Sequence, residues 1–180
     1  MKIIQVPTSQ GGFGNNKNCF LTPSILAPNS EKANIIENNL EQTNQNLENI
    51  KITEKGELFI GGDHSITYSL FKGFKQQIKQ QNPNAKIGLL ILDAHADCSD
   101  NFMPPTHEDF NRVLIEQKII DPKNLLIIGC TKVYDNEKEF IQKHNLQIQE
   151  YNNIHFHKIK EFIDNHNIIY LSIDIDILSQ

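Results

Sequence analysis

The sequence predicts an α/β fold of three layers, α/β/α, built on a mainly parallel sheet. Two observations carry that expectation. Continuous Ile/Leu/Val runs lack polar alternation, as strands buried on both faces do. These runs also alternate with stretches of helical periodicity, the β-α-β-α order that right-handed crossovers between parallel strands require.

Each element follows in order along the chain. Ile3 to Val6 reads as a short first strand. The Asn/Glu-rich stretch from Asn29 to Asn49 carries sparse Ile and Leu, and reads as either a surface helix or a loose loop. ELFI, residues 57–60, is a second strand ending at Gly61-Gly62. Residues 65–80 place Ile66, Leu70, Phe71 and Phe74 on one side and Lys and Gln elsewhere, an amphipathic helix. KIGLLILD, residues 86–93, is the clearest strand. Thr106 opens a helix running to about Lys118, with Thr106-x-x-Asp109 as a capping-box-like start and Asp109 favourable to the helix dipole. NLLIIG (124–129) is a fourth strand. Helices over 135–143 and 157–164 flank a weak strand at Leu146–Ile148, and IIYLSID (168–174) is the last strand.

The 180 residues fit a single α/β domain, 1–180. Gln180 comes six residues after Asp174, so no helix follows to cover the last strand. The expectation is therefore an incomplete domain, the N-terminal and central part of a longer one.

Composition narrows the class. The hydrophobic fraction is 38%, and the shortfall is filled by Asn and Gln rather than charge, so a packed core is still available. A net charge of −5, with Arg112 the only arginine, gives no electrostatic footprint for nucleic acid. No apolar run approaches the ~20 residues of a membrane span, and MKIIQVPTSQGG is too poor in apolar residues for a signal peptide. Cys19, Cys98 and Cys130 are odd in number and lack metal-type spacing, which fits a reduced, cytoplasmic setting.

Three clusters follow strand ends: Gly61-Gly62-Asp63-His64-Ser65, Asp93-Ala94-His95-Ala96-Asp97 and Ser172-Ile173-Asp174-Ile175-Asp176. Ligands of open α/β sheets bind beyond the carboxyl ends of the strands, so the clusters are expected to converge. Alternate side chains of an extended segment point one way, which would align Asp93, His95 and Asp97, and likewise Asp174 and Asp176. With His64 this gives two imidazoles and four carboxylates. Like charges raise one another's pKa, so four carboxylates need a counter-charge, and two divalent cations balance them. Oxygen-rich ligands with two imidazoles and no thiolate suit Mn²⁺ better than structural Zn²⁺. Such a pair makes hydroxide available near neutral pH, favouring hydrolysis at an electrophilic carbon or phosphorus. Asp63 reads as a structural hydrogen-bond acceptor, Cys98 as a packing residue, and His155 and His157 as surface residues.

At GGDHS, DAHAD and SIDID, in that order and each after a strand, the sequence resembles the ureohydrolase family of arginase, agmatinase and formimidoylglutamase. Pro7 and Gly11-Gly12 resemble that family's first strand and loop. The resemblance implies an arginase-like fold and a dimanganese site. His64, Asp93, Asp97 and Asp174 would hold one ion. Asp93, His95, Asp174 and Asp176 would hold the other. A bridging hydroxide, oriented by Asp97, would attack an amidine or guanidine carbon and release urea or a related amide plus an amine. His107 matches the family's histidine downstream of DAHAD, which implies a proton shuttle to the leaving amine. The resemblance further implies a small guanidine or amidine as partner, and homotrimers or homohexamers.

Two departures bear on substrate. The loop CSDNFMPPT (98–106) is shorter than in typical arginases, and Glu108 follows His107 where glycine is usual. The family's carboxylate that grips the guanidinium lies beyond Gln180, and Ile177-Leu178-Ser179 stands where Leu-Asp-Pro usually follows SIDID. A truncated, non-catalytic homologue binding metal or an amidine is the alternative, and another two-metal hydrolase such as a phosphoesterase is a third reading.

Overall fold

A computed structural model describes residues 1–13, 18–53 and 56–179. The chain divides into two compact units: Met1–Gln80 with Phe102–His107, and Gln81–Asn101 with Glu108–Gln180.

In the first unit, β1 (Lys2–Val6) leads through a 3-10 turn at Cys19–Leu21 to α1 (Thr22–Leu26), whose first turn holds Pro23. β2 (Glu31–Lys32), α2 (Leu40–Glu48), β3 (Glu57–Gly61) and α3 (Ile66–Gln81) follow. The sheet order is β2-β1-β3, all parallel, with Ile4 opposite Phe59 and Val6 opposite Gly61. The Asn29–Asn49 stretch thus resolves into a two-residue strand and a helix. Asn39 starts that helix by accepting the Gln42 amide at 2.9 Å, the ordinary N-cap use of a short polar side chain. Gly73 lets α3 approach α2: a Cβ there would sit 2.1 Å from the Glu48 carbonyl oxygen. The Lys72 ammonium also meets the Glu48 carboxylate at 2.8 Å.

In the second unit, β4 (Ile87–Leu92), α4 (Phe110–Glu116), β5 (Leu125–Cys130), α5 (Asp135–His144), β6 (Gln147–Glu150), α6 (Phe156–Asp164) and β7 (Ile168–Ile173) alternate as the apolar runs require. Their sheet is parallel throughout, in the order β6-β5-β4-β7. The pleat sends Leu90, Leu126 and Ile128 to one face, where Phe162 of α6 packs with Ile159, Ile154 and Ile169. Leu89, Ile91, Leu125 and Ile127 point the other way and are fully buried too. Burial on both faces explains why these strands read as unbroken apolar runs. Each such side chain contributes about 1.5–3 kcal/mol relative to exposure.

The chain runs outward from β4 to β5 and β6, then returns to place β7 on the opposite side of β4. β4 and β7 therefore flank a switch point, and the crevice beyond their carboxyl ends is where such sheets hold ligands.

One helix differs from expectation. α4 begins at Phe110, not at Thr106. The His107 amide donates to the Gly11 carbonyl at 3.2 Å, which commits the backbone of residues 102–107 to the first unit before a helix can start. The short 3-10 turn at Ile175–Ser179 and α1 carry no clear periodicity and were not expected. Among the described residues no helix is long and apolar enough to cross a membrane.

Candidate metal centre

The second unit carries five of the seven expected residues. Leu92 of β4 is in register with Ile173 of β7, so Asp93 and Asp174 leave the sheet side by side. Backbone bonds fix both exits: the Asp93 amide donates to the Ile128 carbonyl at 3.0 Å, and the Asp174 amide to the Leu92 carbonyl at 2.8 Å. Asp93 is buried, while Asp174 and Asp176 are half-buried.

Beyond the strand ends both segments turn, which differs from the extended geometry expected from the alternation. Asp93 Oδ1 accepts the His95 amide at 2.8 Å, and Asp174 Oδ1 accepts the Asp176 amide at 3.1 Å. Each is a side chain bonding its own backbone two residues on, the Asx-turn habit of aspartate. Asp97 has φ +49, a left-handed conformation that costs a non-glycine residue about 1–2 kcal/mol. Convergence therefore comes from turns, not from a continued pleat.

The turns bring Asp93, His95 and Asp176 together, with one ligand atom of each within 4.8 Å of the others. His95 Nδ1 lies 2.9 Å from Asp176 Oδ2 and 3.6 Å from Asp93 Oδ1. The Ala94 amide donates to the other Asp176 oxygen at 3.2 Å. Asp93, then Asp176 and Asp97, hold the His95 imidazole charged and push its pKa up to about 9 against the opposing effect of burial. Burial and the neighbouring Asp174 and Asp93 push the Asp176 carboxyl up, while the Ala94 amide and His95 oppose them. The cluster calls for positive charge, and a proton on His95 meets part of that need. Two carboxylates and an imidazole without thiolate are also an acceptable donor set for a divalent cation.

Two residues that the sequence reading did not single out stand behind the DAHAD turn. Asn111 of α4 donates its side-chain amide to the Ala96 carbonyl at 3.0 Å and its backbone N–H to the Asp97 carbonyl at 3.1 Å. Glu137 of α5, almost wholly buried, accepts the Cys98 amide at 2.9 Å through Oε1 and the Tyr134 amide at 2.8 Å through Oε2. A glutamate three residues after Tyr134 is half of a capping-box pattern, but tyrosine is not an N-cap type, so the signal was weak. Cys98 is fully buried and its thiol donates to the Ala96 carbonyl, in keeping with a packing role.

The first unit carries His64 and His107. His64 is buried at the start of α3, between β3 and the helix. Its neighbour Asp63 accepts the Ser65 amide at 2.9 Å and the Gly11 amide at 3.2 Å, the structural role expected of it. Burial pushes the Asp63 carboxyl up, opposed by Ser65, His107 and the Gly11 amide. His107 is half-buried, and its Nδ1 lies 2.7 Å from the Gly11 carbonyl oxygen. A carbonyl can only accept, so Nδ1 carries the proton and Nε2 the lone pair in the neutral ring. Phe13 packs edge-on against the same ring at 5.6 Å.

Comparison with known proteins identifies the family and the fold. The family model described as "Arginase family" matches residues 16–180. The chain is 27% identical over 135 residues to the formimidoylglutamase of Bacillus subtilis (strain 168), covering 68% of this chain and 40% of that protein. It is 29% identical over 143 residues to the arginase of Staphylococcus aureus (strain COL), covering 67% of this chain and 45% of that one. The chain thus spans less than half the length of these relatives. The crystal structure of B. subtilis formimidoylglutamase superposes with a TM-score of 0.78 at 19% identity, covering 97% of this chain and 64% of that one. Helicobacter pylori arginase superposes at 0.65 and 19%, covering 98% and 75%. At such identities the likeness is one of fold.

Proposed function

The chain belongs to the arginase family, and from that premise we propose that it is the metal-binding part of a dimanganese hydrolase acting on a C–N bond of a linear guanidine or amidine. The observation that carries the proposal is the meeting of Asp93, His95 and Asp176 beyond two adjacent parallel strands. On the family pattern His64, Asp93, Asp97 and Asp174 would hold one ion, and Asp93, His95, Asp174 and Asp176 would hold the other. When bound, a pair of divalent cations supplies activated water near neutral pH and neutralises the carboxylates.

The chain's own residues do the rest. Asp93 and Asp174, fixed by backbone bonds at the strand ends, set the spacing of the donors. Asp97 orients the attacking water. His107 keeps its Nδ1 proton on the Gly11 carbonyl, so Nε2 is the nitrogen that exchanges a proton with the departing amine. The products are urea or a related amide and an amine. Three free thiols, two of them buried, support a reducing compartment such as the cytoplasm.

The test is metal analysis after dialysis against Mn²⁺, followed by assay of arginine, agmatine, guanidinobutyrate and formimidoylglutamate. Close to two ions per chain and release of urea or formamide from one of them is the expected result. A chain that retains no ion sinks the reading. Ions without turnover of any of the four would leave a metal-binding homologue instead.

A further inference from the structure

Asp97 is the expected ligand whose backbone is least natural for its residue type, and the peptide that follows it is gripped at both ends. Its carbonyl oxygen accepts the Asn111 amide at 3.1 Å, and the N–H of the same peptide, on Cys98, donates to Glu137 Oε1 at 2.9 Å. The preceding turn is held as well, by the Asn111 side chain on the Ala96 carbonyl at 3.0 Å. Glu137 is itself fixed, because its second oxygen holds the Tyr134 amide at the start of α5. We infer that Glu137 and Asn111 are positioning residues that hold Asp97 in its left-handed conformation and so place its carboxylate for the one ion that the family reading assigns to it.

The physical ground is direct. The left-handed region is an uncommon well even for aspartate, and the bonds on either side of Asp97 keep it there. A peptide plane has one rotational freedom relative to its neighbours, and bonds from two different helices to its two ends remove it. Releasing the Cys98 end lets residue 97 relax toward an ordinary φ, which swings the side chain away. Groups behind a metal site that orient its ligands commonly change affinity about 10–100-fold when lost. The inference rests on the metal reading proposed above. In that reading Asp97 serves one ion only, so the defect should be selective.

The experiment is a Mn²⁺ titration of the chain, following free ion by electron paramagnetic resonance. It compares the unsubstituted chain, Glu137→Ala, Glu137→Gln and Asn111→Ser, with thermal unfolding of each metal-free protein alongside. Glu137→Ala is expected to weaken one of two ions about tenfold or more and leave the other unchanged. Glu137→Gln retains one acceptor and is expected to fall between. Asn111→Ser, which spares the backbone bond to Asp97, is expected to weaken the same ion. Unchanged affinity for both ions with only a lower unfolding temperature would make the role purely structural and overturn the inference. Equal loss of both ions would overturn it too. If Glu137→Ala does not fold, Glu137→Gln and Asn111→Ser decide the matter by the same criterion. An unsubstituted chain that takes up no Mn²⁺ defeats the metal reading itself, and the inference falls with it. That failure is visible before any substitution is compared.

Discussion

His95 and Asp176 meet at 2.9 Å although one follows β4 and the other follows β7, and the parallel pairing of those two strands is what makes the meeting possible. In the metal-free chain this contact and Asp93 keep the imidazole charged, with a pKa near 9. That value lies above the ~6.5 of an unfolded chain. The stabilisation from His95 is therefore fully present below about pH 6.5 and is lost as pH rises through 9. A cation must displace the proton, so Mn²⁺ uptake at neutral pH should release protons, and affinity should climb with pH until about 9. Nuclear magnetic resonance titration of the imidazole, with and without Mn²⁺, checks both statements. An imidazole titrating near 6.5 without metal would contradict them.

Asp93→Ala is expected to abolish uptake of both ions, and Asp174→Ala likewise, because each is assigned to both. Asp176→Ala should weaken one ion only. Inductively coupled plasma analysis after gel filtration reads the difference directly.

His107→Ala is expected to keep both ions and to slow turnover by roughly 10²–10⁴-fold, the usual worth of general acid–base help. Loss of metal in this variant would refute the proton role. The substitution also removes the ring's bond to the Gly11 carbonyl and its contact with Phe13, so a modest fall in Tm is expected in a scanning calorimeter.

Gly129→Ala tests the sheet beneath the site. Gly129 has φ +97 at an irregularity in the β5–β6 pairing, and an added Cβ would sit 2.4 Å from Ile177 Cδ1. Left-handed strain and crowding together should destabilise the chain by about 1–3 kcal/mol. Urea denaturation is the measurement, and a change below about 0.5 kcal/mol would contradict the strain.

Burial pushes the Cys130 thiol up to about 12 and the Cys98 thiol well above its ordinary range. Both should resist iodoacetamide at pH 8 in the folded chain and react after denaturation. Peptide mass spectrometry locates the label, and rapid modification of Cys98 would argue against its burial.

β4 and β5 were legible because burial on both faces writes itself as Ile/Leu runs, and α3 and α6 because their apolar residues recur at helical spacing. β2, at two residues, is too short to leave a pattern, and α1 is a single turn set by Pro23. Thr106 failed as a helix start because a tertiary bond to Gly11 outweighed local capping. The motif residues at the switch point were legible as acids and imidazoles after strands. Their turns were not, since a left-handed Asp97 depends on Asn111 and Glu137 from two later helices, and neither bears a local mark of that task.

The pairing of β4 with β7 also sets a timetable. Asp93 and His95 are synthesised early, but their partners Asp174 and Asp176 arrive only after three further α-helices and three further strands have left the ribosome. A nascent chain halted at α6 would bury much of its core and yet hold half a set of acids with no second bank to face. Ion capture is thus expected to be among the last events of maturation, sealing a framework already standing.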